Sequence, residues 1–405
     1  MSTIKERESN LLLVPFLLLL PQTSEGCEEM KSAYIHIPFC EHICHYCDFN
    51  KFFMHGQPVD EYLQLLEKEF ELYRDRFPDM NLKTIFVGGG TPTALSASQL
   101  DTLCSAIRKN LPFTEGEFTF EANPGDLTME KLRVLFNHGV NRLSFGVQSF
   151  NDELLKRIGR SHQVKDVYRS IRHARQAGFS NISIDLIYSL PGQTTEDFSD
   201  TVKKAIELDL SHYSGYSLIV EPKTVFYNLM RKGKLKLPGE DQEAAMYNVL
   251  IEEMERSGLR QYEISNFAKS GFQSIHNLVY WNNEEYFGFG AGAHGYVNGI
   301  RYSNYGPLKK YMEPISRGTA PVFEQHEVTH REKMEEEMFL GLRKRAGVNI
   351  SLFNKKYSIN PKELFQQQIE ELSEKGWIEE KNDSIRLTRE GLFLGNEVFQ
   401  TFLLS

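Results

Sequence analysis

The sequence predicts an α/β fold: six βα units forming a parallel sheet, open or curled into a barrel, followed by a helical, winged-helix-like C-terminal domain. Three observations carry this. From Ser32 onward short apolar runs alternate with amphipathic stretches six times, the pattern of parallel strands with crossover helices. The amphipathic stretches carry start and stop residues at the expected places. After about residue 325 the texture changes to helix, helix and hairpin.

Candidate strands run over 33–37, 83–87, 117–121, 141–147, 181–187 and 212–218. Between them lie helical segments at 59–77, 96–111, 128–139, 163–178 and 194–209. In the first of these, Tyr62, Leu65, Leu66, Phe70 and Tyr73 follow the three-four spacing of a buried helical face. Ser96 and Thr128 are placed as N-caps, and Gly139 and Gly178 as C-terminal stops. A further helix is expected over 239–258, followed by an aromatic, Gly-rich stretch over 262–305. Beyond it, "THREKMEEEMFLGLRKRAG" and "PKELFQQQIEELSEKG" read as helices, "WIEEKNDSIRLT" as a hairpin turning on Asn-Asp, and "REGLFLGNEVFQTFL" as a closing helix. The expected division is an N-terminal extension (1–29), a core barrel (30–260), an aromatic extension (261–325) and the C-terminal domain (326–405).

Composition narrows the function. Forty-six basic against 55 acidic residues leave a net charge of −9, which argues against nucleic acid held by bulk electrostatics. Five cysteines, three of them clustered, make a poor disulfide framework and fit a reducing cytoplasm. The first residues stand apart: Lys5 and Arg7 precede an apolar run, Leu11–Leu20, that Pro15 interrupts and that is too short to span a bilayer. The outline is that of a signal peptide, with Cys27 as a candidate for lipidation, but "TSEG" is a poor cleavage site. Residues 1–29 are read as an over-extended start or a loose tail.

The chemistry concentrates in "IHIPFCEHICHYCDFNKFF". Cys40, Cys44 and Cys47 form C-x3-C-x2-C just after the first strand, where barrel enzymes carry their reactive groups. Thiolates are soft ligands for iron–sulfur clusters and for zinc. A four-iron cluster held by three protein thiolates keeps one iron open, which is a physical reason to stop at three. A Cys3His zinc site completed by His36, His42 or His45 stays open as the alternative. "GGGTPT" (88–93) follows the second strand. Glycines there let the chain approach a ligand closely, and the P-loop's Lys-Ser/Thr is missing.

These segments together resemble the radical S-adenosylmethionine (SAM) superfamily. The match rests on "YIHIPFC", the cysteine motif followed by "DF", "GGGTPT", "EANPGD", "RLSFGVQSF", "RIGRSH" and "IDLIYSLPGQT", in this order. The resemblance implies a partial (β/α)6 barrel. It implies a 4Fe–4S cluster on Cys40, Cys44 and Cys47 whose open iron chelates SAM, and cleavage of SAM to a 5′-deoxyadenosyl radical by an electron from the cluster. It assigns Gly89, Gly90 and Thr91 to the methionyl amine. Glu121, Gln148, Arg160 and Asp185 take the ribose, adenine and carboxylate, with Tyr34 and Tyr46 flanking the cluster and SAM.

"YSLIVEPKTVF", "QYEISNFA", "HNLVYW" and "GFGAGAHG" narrow the resemblance to the oxygen-independent coproporphyrinogen III oxidase family. The oxidase proper has a further cysteine two residues after the third and an extended N-terminal region. Here that place is Phe49, and the first strand comes almost at once if the doubtful tail is set aside. "HNLVYW" is similar to the signature of the HemW subgroup of heme chaperones, which implies His276 as a heme iron ligand with Tyr280 and Trp281 against the porphyrin. His294 is a second candidate. The expectation is therefore a heme chaperone lacking oxidase activity, drawing on an electron donor and delivering heme to acceptors that include membrane respiratory enzymes. The resemblance leaves room for a homodimer and for membrane association of a cytoplasmic protein. The alternatives are oxidative decarboxylation of coproporphyrinogen III to protoporphyrinogen IX and, from another class, a non-catalytic zinc-binding module.

Overall fold

A computed structural model describes residues 32–404, and the expectations for residues 1–29, Cys27 included, lie outside it. Six parallel strands follow one another in chain order: β1 (Ser32–Ile37), β2 (Leu82–Gly89), β3 (Phe113–Ala122), β4 (Arg142–Gln148), β5 (Asn181–Tyr188) and β6 (His212–Ser217). Each pairs with the next in parallel register, as in Tyr34 with Phe86, Phe86 with Thr119 and Glu121 with Ser144. The connections are the helices Val59–Arg76, Ala97–Asn110, Met129–Asn137, Val164–Gln176 and Thr195–Ile206. Ser96 caps its helix by accepting from the Gln99 N–H, and Thr128 does the same with Lys131.

The aromatic, Gly-rich stretch is less separate than its composition suggests. Strands β7 (Arg260–Glu263) and β8 (Asn266–Ala268) form a hairpin that extends the sheet antiparallel beyond β6. Strand β9 (Phe287–Phe289) joins the opposite edge, parallel to β1. The nine strands therefore run β9-β1-β2-β3-β4-β5-β6-β8-β7. Ala33, Ile35 and Ile37 alternate toward the helices on the outer face, where Phe70 and Tyr73 meet Phe287 and Phe289 edge to face. The inner face is more polar: Tyr34, His36, Glu121, Ser144 and Asp185 alternate with those apolar positions.

Glu69 fastens β9 to the body. This fully buried carboxylate accepts from the Gly290 N–H (2.9 Å), the Tyr311 hydroxyl (2.6 Å) and the Asn304 amide (2.8 Å). Burial pushes it up to about 7.

The C-terminal region is helical with a small sheet of three strands, Val348–Asn349, Ser384–Leu387 and Ile378–Lys381. Its hairpin turns on Asn382 and Asp383, both left-handed (φ 51° and 60°), the two-residue turn that matches strand twist. Three expectations need correction. The helix expected over 361–376 is two, Pro361–Leu364 and Gln366–Glu374, with a break at Phe365. The helix expected over 329–347 ends at Gly341, and a separate helix follows at Ile350–Tyr357. The closing helix is two, Arg389–Phe393 and Gly395–Thr401, with a break at Leu394.

Candidate cluster and cofactor site

The loop after β1 is held at both ends. Phe39–Cys40 pairs with Phe52–Phe53, so the intervening residues bulge out as one unit. Asn50 ties that unit to the segments after β9, the edge strand beside β1, donating from its amide to the Ala291 (2.8 Å) and Gly306 (3.0 Å) carbonyls. His36 donates from Nε2 to the Asn50 carbonyl at 2.7 Å, which leaves Nδ1 to accept from the Tyr34 hydroxyl at 2.9 Å. On the other side, His45 donates to the Ile158 carbonyl from its backbone and to the Arg157 carbonyl from Nδ1, both at 3.0 Å.

The three cysteines of this loop open onto a cavity of ≈ 480 Å³. The same cavity is lined by Tyr46, Gly89, Gly90, Thr91, Glu121, Gln148, Arg160 and Asp185. Eleven of the residues singled out by sequence thus meet in one space, although they come from four strands (β2 to β5), the cysteine loop and the segment after the helix Asp152–Arg157 that carries Arg160. Tyr34 does not reach the wall; it stacks on Phe86 behind it. Sequence reasoning passed over Asn123, Ser144, Gly146 and Tyr216, which also line the cavity. Asn123 stood inside the quoted "EANPGD", so its signal was present.

Burial pushes the Cys40 thiol up to about 11 and raises that of Cys47. These sulfurs become thiolates when a metal replaces their protons. Hydrogen-bond donors already point at two of them: the Thr91 hydroxyl at Cys40 Sγ and the Arg160 guanidinium at Cys44 Sγ, each at 3.5 Å. Among the described residues no three ligating side chains converge on a single ion position. His36 and His45 are committed to carbonyls, as above.

The rest of the cavity suits a zwitterionic nucleoside ligand. Burial, and then the charge of Asp185, pushes Glu121 up to about 7; burial raises Asp185 as well. Glu121 accepts the Gly89 N–H at 3.1 Å, and Asp185 accepts from Ser144 at 3.4 Å. Both carboxylates retain acceptor capacity for hydroxyl or ammonium donors. Arg160 has a buried Nε with no partner, a donor left over for an anionic group. Gln148 reaches the cavity from a left-handed turn at the end of β4 (φ 67°). At Gly89 a second reason joins the one expected. A Cβ at Gly89 (φ 111°) would meet the His36 ring at 2.5 Å, so this glycine makes room for the protein's own imidazole.

The heme-binding expectations meet a different environment. His276 lies on the helix Ile275–Trp281 and is 1% exposed. Its Nδ1 is 2.8 Å from the Thr84 hydroxyl, whose own hydrogen is directed at Ser32 Oγ, so Nδ1 donates. Nε2 then accepts from the Tyr280 hydroxyl at 2.8 Å, and the one lone pair an iron could use is taken. Burial lowers His276 to about 3. Trp281 packs under the Arg343 guanidinium, 4.3 Å from its ring centroid. His276, Tyr280 and Trp281 do not line the cavity, and axial ligation by His276 Nε2 requires breaking the Tyr280 bond. His294 is exposed at the start of the strand His294–Val297.

Comparison with known proteins places this geometry. Residues 34–205 match the Radical SAM superfamily and residues 328–394 the HemN C-terminal domain. The heme chaperone HemW of Bacillus subtilis (strain 168) is 56% identical over 376 residues, covering 92% of this chain and 99% of the relative. The chain belongs to the HemW family of the radical SAM superfamily. HemW of Lactococcus lactis is 47% identical, over 93% of this chain and 98% of its own. The solved structure of coproporphyrinogen III oxidase (HemN) from Escherichia coli, described as a radical SAM enzyme, superposes with a TM-score of 0.82 at 25% identity, covering 93% and 90% of the two chains. Membership carries with it a 4Fe–4S cluster and SAM, and the donor set of the cavity fits both. Among the described residues no helix is long and apolar enough to cross a membrane.

Proposed function

We propose that this protein binds heme and delivers it to heme-dependent acceptor proteins, membrane respiratory enzymes among them, with the cluster and SAM held in the barrel mouth. The carrying observation is identity of 56% and 47% along nearly the whole length of two proteins named as heme chaperones. The HemN superposition does not weigh against this, because chaperone and oxidase share the fold, and fold alone does not set function. Phe49 supports the chaperone reading. It stands where the oxidase resemblance calls for a further cysteine, and it is 64% exposed at the cavity rim.

In this account Cys40, Cys44 and Cys47 hold the cluster. Bound there, the cluster supplies low-potential electrons and an open iron for SAM. Glu121 and Asp185 accept from the SAM hydroxyls and ammonium, Arg160 donates to its carboxylate, and Gln148 meets the adenine. An electron donor and pairing into a dimer belong to the same proposal. With His276 Nε2 taken by the Tyr280 hydroxyl, heme iron is expected to bind without His276 as its ligand.

Anaerobic titration of the purified protein with hemin tests the reading. A saturable change in the heme absorption spectrum, followed by transfer to an added apo-hemoprotein, is the expected result. Absence of saturable binding contradicts it.

A further inference from the structure

Asn123 makes no hydrogen bond to a cysteine itself, yet it joins the two side chains, Thr91 and Arg160, that donate to the cysteine sulfurs. Its Oδ1 accepts from Arg160 Nη2 at 2.5 Å, and its Nδ2 donates to Thr91 Oγ1 at 3.1 Å. Thr91 in turn donates to Cys40 Sγ, while Arg160 donates from Nη1 to Cys44 Sγ. A second bond, from Arg160 Nη2 to the Gly146 carbonyl at 2.5 Å, fixes the guanidinium from the β4 side. One cation therefore feeds two sulfurs: Cys44 directly, and Cys40 through an amide and a hydroxyl whose donors all point the same way. Such a one-way chain strengthens its terminal bond. Cys47 is served differently, by the backbone N–H of Phe49, while the Lys51 amine goes to the Cys47 and Phe49 carbonyls.

We propose that Asn123 is a positioning residue that sets the reduction potential of the cluster by locking the Thr91 and Arg160 donors onto the Cys40 and Cys44 sulfurs. Hydrogen bonds and positive charge at the ligand sulfurs stabilise the reduced, more negative cluster and raise its potential. Removing the amide frees Thr91 to rotate away from Cys40 and takes one of two anchors from Arg160. The inference rests on the three cysteines carrying a cluster, and its test separates the two.

The experiment is an EPR-monitored redox titration, with dithionite and mediators, of the full chain reconstituted anaerobically with iron and sulfide. Wild type, Asn123→Ala and Thr91→Val are compared, with bound iron counted in each. Asn123→Ala is expected to hold four irons and to reduce less readily, the reduction equilibrium falling about tenfold, which is 59 mV for one electron. Thr91→Val, which removes the donor to Cys40 alone, shifts the same way by less. A loaded Asn123→Ala protein with the wild-type potential overturns the inference. Should that variant fail to take up iron, an unshifted Thr91→Val potential overturns it instead. Wild-type protein that binds no iron defeats the cluster reading first, and this inference with it.

Discussion

His276 Nε2 and the Tyr280 hydroxyl, one turn apart on the same helix, are joined by a 2.8 Å hydrogen bond inside the barrel. With Thr84 on the other ring nitrogen and Phe86 stacked on its face, the imidazole pins the helix Ile275–Trp281 to β2. The carboxylate of Glu117 completes the attachment by accepting from the Ile275 and His276 N–H groups and the Ser274 hydroxyl. Two residues of the "HNLVYW" signature thus have a structural task irrespective of heme.

His276→Ala leaves the Thr84 and Tyr280 hydroxyls short of a partner and opens a cavity beside Phe86. The expected cost is about 2–4 kcal/mol, read as a lower midpoint in denaturant unfolding. The heme spectrum of this variant is expected to match wild type. Loss of the wild-type heme band would show instead that the helix opens and His276 becomes the ligand.

The same histidine makes stability depend on pH. Held neutral, with a folded value of about 3 against 6.5 unfolded, His276 contributes stability that is full above 6.5 and is lost as pH falls toward 3. Between those limits wild type should lose about 1.4 kcal/mol per pH unit more than His276→Gln. Parallel stability curves for the two proteins from pH 6.5 to 4.5 would contradict this.

Gly89→Ala combines a left-handed backbone with a Cβ that meets the His36 ring, so both protein strain and the Asn50 anchor are affected. A loss of about 1–3 kcal/mol is expected, with looser cluster retention under mild chelation as the second readout. Wild-type stability in this variant would mean that His36 can turn aside at no cost.

Glu121→Gln keeps the shape of the side chain and removes the charge. It should weaken SAM binding to the reconstituted protein about tenfold, as expected for losing a charge-assisted hydrogen bond. Isothermal titration at pH 8, where wild-type Glu121 is ionised, measures it. Unchanged affinity would place the ribose elsewhere.

The parallel sheet was legible because β1 to β6 are buried on the helix side and read as apolar runs, and because capping chemistry is local: Ser96 finds Gln99 three residues on. The hairpin at Asn382-Asp383 was legible for the same reason. Site residues were visible as motifs, since each falls within a short quoted stretch. What eluded sequence depends on contacts between distant segments. The fate of His276 is decided by Thr84, 192 residues away, and the role of Asn50 by carbonyls more than 240 residues on. Strands β7 to β9 were hidden because each is only three or four residues long, too short to show period-two alternation.

The measurement that tests the central claim most directly is an anaerobic assay of the reconstituted protein with SAM, reductant and coproporphyrinogen III, run beside a hemin titration of the same preparation. The account predicts saturable heme binding and no conversion of coproporphyrinogen. Formation of protoporphyrinogen IX would contradict it and make the protein an oxidase that works with Phe49 in place of the further cysteine.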